Sequence, residues 1–259
     1  MLNGTYYFLK GLMLITKSGI RIWVVIPVSI NIILFSILTY YSLLYFPIML
    51  DTVITYLQLP DWGIVFAIIR WIMLPLFIVF AMIAFFFIFT FVANLISEPF
   101  NGALSRAVER YITGRKVKSP SESIFKIIIG FIGEKLEKLW YYFKWMLLLI
   151  IISFIPIINI ISPILWFLFS AWIAALEYAD PVLSNHGYSV PEQRKILAKK
   201  RMLTLGFGIS VIVAMFIPII NFFVMPAAIA GATQMWLQQF YDANDFPHMK
   251  DMNYINNIR

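Results

Sequence analysis

Two stretches of the chain run much further without charge than a soluble fold does. Trp23 to Leu50 is 28 residues with no charged side chain, and Gly63 to Ala93 is 31 residues with one, Arg70. A helix needs about 20 apolar residues to cross the hydrocarbon core of a bilayer. Both stretches therefore predict transmembrane helices, over 23–50 and 63–93, tilted or projecting beyond the bilayer. The segment between them, DTVITYLQLPDWG, is short and carries no Lys or Arg.

Two later apolar segments are interrupted, and by the same hexapeptide. FIPIIN stands at 154–159 and again at 216–221, each followed by a second proline, Pro163 and Pro226. The apolar arms around these interruptions hold 11 to 15 residues, which at helical rise reach about 16–23 Å. The hydrocarbon core is about 30 Å thick. Proline inside a helix removes a hydrogen bond and clashes with the preceding turn, and Asn favours turns by bonding its own backbone. The pattern predicts two helical hairpins. One covers 145–176, with its tip at 156–163 (Pro156, Asn159, Pro163). The other covers 203–240, with its tip at 218–226 (Pro218, Asn221, Pro226).

The alternative for each is one long kinked spanning helix, and charge separates the two readings. Lys and Arg number 3 in residues 1–22, none in 51–62, 9 in 94–144, 5 in 177–202 and 2 in 241–259. Two re-entrant hairpins put all of these on one side of the membrane, leaving the uncharged 51–62 loop on the other. Two spanning helices would send RKILAKKR to the opposite side. The bias of Lys and Arg toward cytoplasmic loops favours the hairpins. Broken helices at membrane depth persist only where protein buries them or water lines them, and paired interrupted segments point to a transport site.

Composition agrees with this reading. The chain is 61% hydrophobic and 13% charged, against about 45–50% and about 25% for soluble domains. The predicted fold is an all-α integral membrane protein with two long transmembrane helices, two re-entrant (hemi-penetrating) hairpins and an amphipathic cytoplasmic-side helical connection over 94–144. Within that connection a helix should begin near Pro99 and stop around Gly114, and EKLEKLWYYFKW should run helically into the third apolar block. The first 21 residues do not read as a cleavable signal peptide, because the apolar stretch is short and broken and no small-residue cleavage site follows. With no cysteine, disulfides and thiol chemistry are excluded, and two histidines, His186 and His248, argue against a metal cluster. A net charge of +7 is read as topology-setting loops rather than nucleic-acid binding. GxSxG, HExxH, P-loop and GxGxxG motifs are missing, so neither catalysis nor a cofactor is expected.

Several polar residues are candidates for handling an anion. KSGIR at 17–21 sets Gly19 and Arg21 immediately before the first spanning helix, where unpaired backbone N–H groups and a positive dipole end favour an oxyanion. The plainer reading is a basic topology anchor beside a loop glycine. Asn31 lies about 13 Å into that helix at helical rise, where its amide needs a partner, either another helix or a pore. Asn94, Glu98, Arg106 and Glu109 cluster where the second helix leaves the core. Arg106 and Glu109, three residues apart, can pair as a surface ion pair. Arg70 can snorkel to the interface, and His186, in DPVLSNHGYS, is expected in a loop.

KSGIRIWVVIPVSIN, VANLISEPFNGALS, SPILWFLFSAWIAALEYADP with a following NH, and FIPIINFFVMPAAIAGATQMW together resemble the CysZ family of bacterial inner-membrane sulfate permeases, in order from about residue 7 to residue 240. The resemblance implies sulfate uptake across the inner membrane to feed cysteine biosynthesis, two spanning helices with two hemi-penetrating hairpins, and a homo-oligomer in the lipid bilayer. It also implies that Gly19, Ile20 and Arg21 bind sulfate as a Gly-x-Arg motif. Ile22 departs from the second Arg that relatives often carry there, which implies either weaker sulfate capture or compensation by Lys17 or Ser18. Proton-linked uptake, which the resemblance also implies, makes Glu98, Glu109 and Asp180 candidate coupling groups. The competing expectations are a non-conducting membrane-shaping or assembly protein, and a transporter of another oxyanion.

Overall fold

The computed structural model describes residues 2–56, 64–114 and 124–241. Among these the chain is helical, with no strand. The elements are α1 (Leu2–Leu14), α2 (Ile22–Tyr56), α3 (Ile64–Thr113), α4 (Ile124–Ser153), a 3-10 turn (Ile158–Ile160), α5 (Ser162–Asn185), α6 (Val190–Ala198), α7 (Arg201–Met215) and α8 (Pro218–Gln239). His248 and the start of the second predicted span at Gly63 lie outside the described residues. The protein is an all-α membrane protein, and among the described residues three helices are long and apolar enough to cross a bilayer: α2 over Ile22–Met49, α5 and α8.

The chain divides into two compact units. The unit formed by residues 25–100 contains most of α2 and of α3. Its helices carry Pro27, Pro47, Pro75 and Pro99 without ending, as membrane helices do when neighbouring groups satisfy the freed carbonyls. Phe35 and Phe89 meet edge to face at 5.3 Å. Many of its large apolar side chains, Tyr40, Leu43, Trp71 and Phe80 among them, are exposed within the chain, as lipid-facing residues are. Pro99 opens no new helix, in contrast to the sequence expectation. α3 runs through it and stops at Thr113, where Gly114 takes a positive φ.

The other unit is built around α8. From Ala227 to Thr233 every residue of α8 is buried, as are Met235, Trp236 and Leu237. A helix apolar on all sides belongs in an interior, and PAAIAGATQMW is such a sequence. α1, α5 and α7 pack against it, and α1 also lies along α7. These helices approach closely enough for backbone to touch backbone. A Cβ placed on Gly11 would fall 2.0 Å from Ala227 O, on Gly4 2.2 Å from Phe207 N, and on Gly208 1.8 Å from Ala171 O. Small residues at such crossings let helices associate where no hydrophobic force separates protein from lipid. Gly208→Ala should therefore lower stability by about 1–3 kcal/mol, despite alanine's better helix propensity. A thermal midpoint in detergent equal to that of the parent would disprove the close α5–α7 approach.

The two FIPIIN copies differ in local structure, and the second predicted tip requires correction. Both copies close with the same bond: Asn159 N donates to Ile155 O (3.0 Å) and Asn221 N to Ile217 O (2.8 Å). In the first copy the helix stops at Ser153 and resumes at Ser162, so Pro156 and Asn159 lie in the break and Pro163 in the first turn of α5. In the second copy the break is only Phe216–Ile217. α8 begins at Pro218 itself and passes through Asn221 and Pro226. Proline is well placed in a first helical turn because its missing N–H has no role there, so Pro218 starts a helix instead of interrupting one. The arms are also longer than the apolar runs suggested. α5 has 24 residues and α8 has 22: α5 continues past its apolar run into polar sequence, and α8 takes in the interruption itself by starting at Pro218. Arm length therefore does not separate a hairpin from a spanning helix.

The first tip carries strain. Ile157 has φ 74°, a conformation a β-branched residue rarely takes, and its side chain is exposed within the chain. The left-handed region costs an L-residue roughly 1–2 kcal/mol, and glycine adds back roughly 0.5–1 kcal/mol of chain entropy. Ile157→Gly should therefore raise the thermal midpoint in detergent slightly. A lowered midpoint would mean that the isoleucine side chain anchors the tip by more than its backbone strain costs. Ser153 and Ser162 bond hydroxyl to hydroxyl across this break, and Trp166 Nε1 donates to Ser153 Oγ at 3.2 Å.

Candidate functional site

The KSGIR segment forms a short loop between α1 and α2, and its buried residue explains its shape. Ile20 is only 1% exposed and pins the loop to the core, while Lys17, Ser18, Gly19 and Arg21 face outward. Ile20 N and Arg21 N both donate to Lys17 O at 3.1 Å. Among the described residues, no backbone bond uses the N–H of Ser18 or Gly19. Gly19 has φ +86° and open space around its Cα, so the turn favours glycine on conformational grounds alone. Neither Lys17 nor Arg21 has an acidic partner among the described residues. The loop thus presents two cations and two unused N–H donors on one exposed turn. Ile20 takes part through its buried side chain rather than as a donor, since its N–H is occupied.

In the unit of residues 25–100, Asn31 Nδ2 donates to Ser97 Oγ at 3.4 Å, and Asn31 Oδ1 is buried without a partner. This pair joins α2 to α3, and Ser97 was not foreseen from sequence. Glu98 is partly buried. The side chains of Asn94 and Arg70 lie outside the described residues.

In the other unit, Arg106 and Glu109 do not form the expected pair. Arg106 donates to Asn185 Oδ1 at 2.6 Å, and Asn185 Nδ2 donates to Gly102 O. Glu109 meets the next residue after Asn185, His186, whose Nε2 lies 3.1 and 3.0 Å from its two carboxylate oxygens. Both side chains are nearly inaccessible, at 4% and 3% exposure. The His186 ring lies 4.3 Å from that of Trp236 in α8. His186 stands in the turn after α5, as expected, but its side chain is buried. It caps α5 and is drawn inward by a carboxylate 77 positions away, a partner that no local pattern reveals. Nearby, Thr233 Oγ1 donates to Ser105 Oγ at 3.1 Å, both side chains fully buried.

Asp180 has a different environment from Glu109. It accepts from Lys138 Nζ at 2.6 Å, from Gln193 Nε2 at 2.9 Å and from Ser184 Oγ at 2.9 Å. Lys138 also lies 3.8 Å from Glu177, which accepts from Tyr142 Oη at 2.7 Å. Arg194 completes the group, stacking 4.3 Å over the Tyr141 ring and lying 3.6 Å from Glu137. The arrangement ties α4, α5 and α6 together through a buried cation with two carboxylates. Its chemistry is that of a clasp, since the Asp180 carboxylate is fully engaged by donors. Lys138 and Gln193 were missed because each looks like one polar residue on an amphipathic helix.

Residues 7–226 match the family model for "Sulfate transporter CysZ/Etoposide-induced protein 2.4". A protein named sulfate transporter CysZ from Pseudomonas paraeruginosa is 37% identical over 240 residues, 92% of this chain and 96% of its own. Its namesake from Pseudomonas syringae pv. tomato is 39% identical over 254 residues, 96% and 98% of the two chains. That from Pseudomonas fluorescens is 36% identical over 242 residues, covering 92% and 94%. An all-helical membrane chain with these matches over nearly its whole length belongs to the family of the sulfate transporter CysZ and the etoposide-induced protein 2.4.

Proposed function

We infer that this protein carries sulfate across the bacterial inner membrane, supplying sulfur for cysteine biosynthesis, and that it works as a homo-oligomer. The observation that carries the anion part of this reading is the exposed Lys17–Arg21 turn, with its two unpartnered cations and the unused N–H groups of Ser18 and Gly19. A tetrahedral dianion needs several converging donors, and this turn offers backbone and side-chain donors together. The names of the relatives, matched at 36–39% identity over nearly the whole chain, support sulfate as the anion. Lys17 and Ser18, on the same exposed turn, are the residues that could offset the lack of a second arginine at Ile22.

A dianion cannot cross hydrocarbon without fixed polar groups along its way. Asn31, Asn94 and Glu98 in one unit, and Arg106 and Glu109 in the other, are the residues assigned to that role. Of the three carboxylates considered for proton linkage, Glu109 suits it best, since it faces a histidine. Asp180 is already engaged by a lysine and two neutral donors.

The test is uptake of radiolabelled sulfate into proteoliposomes, with and without an inward proton gradient. Uptake above that of protein-free vesicles supports transport, and acceleration by the gradient supports proton linkage. Folded protein that takes up no sulfate would sink the reading in favour of a non-conducting membrane-shaping protein. Faster uptake of selenate, thiosulfate or molybdate would make it a carrier of another oxyanion.

A further inference from the structure

The corner between α6 and α7 holds a second basic surface that the sulfate reading does not use. Lys195, Lys199, Lys200 and Arg201 are all exposed, within seven residues of one another in the chain. Among the described residues none of them forms an ion pair with a carboxylate. The nearest acid in sequence, Glu192, is committed to its own helix end. It accepts from Ser189 Oγ at 2.6 Å and from Ser189 N at 2.8 Å, and these bonds, with a smaller pull from Lys195, hold its carboxyl below the usual range. Lys200 is fixed in place by Gln239 Oε1 at 3.0 Å and lies 5.8 Å from the centre of the Phe240 ring. Gln239 is in turn tied to Tyr7 Oη of α1 at 2.8 Å. Lys200 is therefore braced against α8 and α1.

Two further features say what the cations face. Immediately after them stands Met202, an apolar side chain 60% exposed, and then α7, whose sequence LTLGFGISVIVAM carries no charge. Charge gives way to bare apolar side chain within a single residue, as at the border of headgroup and acyl chain. The first turn of α7 also contains no acidic residue, although that end of a helix favours negative charge. Clusters of four or more Lys and Arg beside an apolar membrane helix are attracted to anionic lipid surfaces.

We propose that Lys195, Lys199, Lys200 and Arg201 bind the headgroup of an anionic phospholipid, with Met202 seated among its upper acyl carbons. The occupant is a lipid of the surrounding bilayer, distinct from the sulfate assigned to the Lys17–Arg21 turn. The proposal does not depend on that assignment.

The experiment is native mass spectrometry of the full-length protein in detergent, titrated with phosphatidylglycerol or with phosphatidylethanolamine. Wild type should retain phosphatidylglycerol in preference. Arg201→Gln should weaken that retention roughly fivefold, and the triple variant Lys199→Gln/Lys200→Gln/Arg201→Gln by roughly a hundredfold, at about 1 kcal/mol per cation. Phosphatidylethanolamine retention should not change in either. Equal phosphatidylglycerol retention by wild type and both variants would overturn the proposal. So would displacement of phosphatidylglycerol from wild type by millimolar inorganic phosphate, which would make the corner a free-anion site. The single variant leaves the Lys200–Gln239 bond in place and keeps the test valid if the triple variant folds poorly.

Discussion

Arg21→Ala should abolish saturable sulfate uptake in proteoliposomes, with the helical content and thermal midpoint of the parent. The side chain is exposed and has no acidic partner among the described residues, so its removal leaves no buried charge unpaired and opens no cavity. Its only role in the proposed chemistry is at the anion. A guanidinium contributes charge-assisted bonds to an oxyanion worth about 1.5–3 kcal/mol each, and losing two of them weakens binding by roughly two to four orders of magnitude. Lys17→Ala should cost less, because an ammonium offers a point charge without the planar fork. Gly19→Ala should act through the backbone, since φ +86° strains any other residue. Undiminished sulfate affinity in the Arg21 variant would move the anion site away from this turn, while loss of fold would make the arginine structural.

Asp180→Asn should be the most destabilising single change in the unit built around α8. The substitution keeps the side-chain volume but leaves Lys138, itself 5% exposed, without its closest counter-charge. Breaking a buried ion pair from one side costs about 3–5 kcal/mol, because the orphaned charge remains out of water. Glu177, 3.8 Å away, recovers part of this, so the lower end of that range is expected. Lys138→Met, which removes the cation and keeps its apolar stem, should cost less when combined with Asp180→Asn than either change alone would suggest. Apparent melting temperatures of the four proteins in one detergent form a double-mutant cycle. Strictly additive effects would show that Lys138 and Asp180 do not act as a pair.

The fold class was legible because its signal is collective. Long uncharged runs and interrupted ones need no knowledge of partners, and a single mispositioned residue does not alter them. The Lys17–Arg21 turn was legible for a related reason: a glycine and two cations directly before an apolar run are a local pattern, and the structure makes a local turn of them. The failures are all non-local. Glu109 looked like the i,i+3 partner of Arg106, yet a histidine 77 positions later outcompetes the arginine. The partner of Asp180 was hidden because Lys138 stands in a different helix, 42 positions earlier. The second FIPIIN was read as a copy of the first, although the same six residues start a helix at Pro218 and a loop at Pro156. A hexapeptide does not carry enough energy to choose between those states, and the flanking packing of α8 decides.

The way α1 is held has a consequence for how the molecule is made. Gly4 lies against Phe207, Gly11 against Ala227, and Thr5 bonds Ser210, 205 positions further along the chain. Ribosomes add about 5–20 residues per second, so the first helix waits roughly 10–40 s for the surfaces it will occupy. Throughout that interval its buried Tyr7, Phe8 and Leu14 lack the α7 and α8 surfaces on which the helix packs and must rest against lipid or a chaperone of the insertion machinery. Closure of the core is thus the last act of biogenesis, and a chain truncated before α8 should remain open at its beginning as well as at its end.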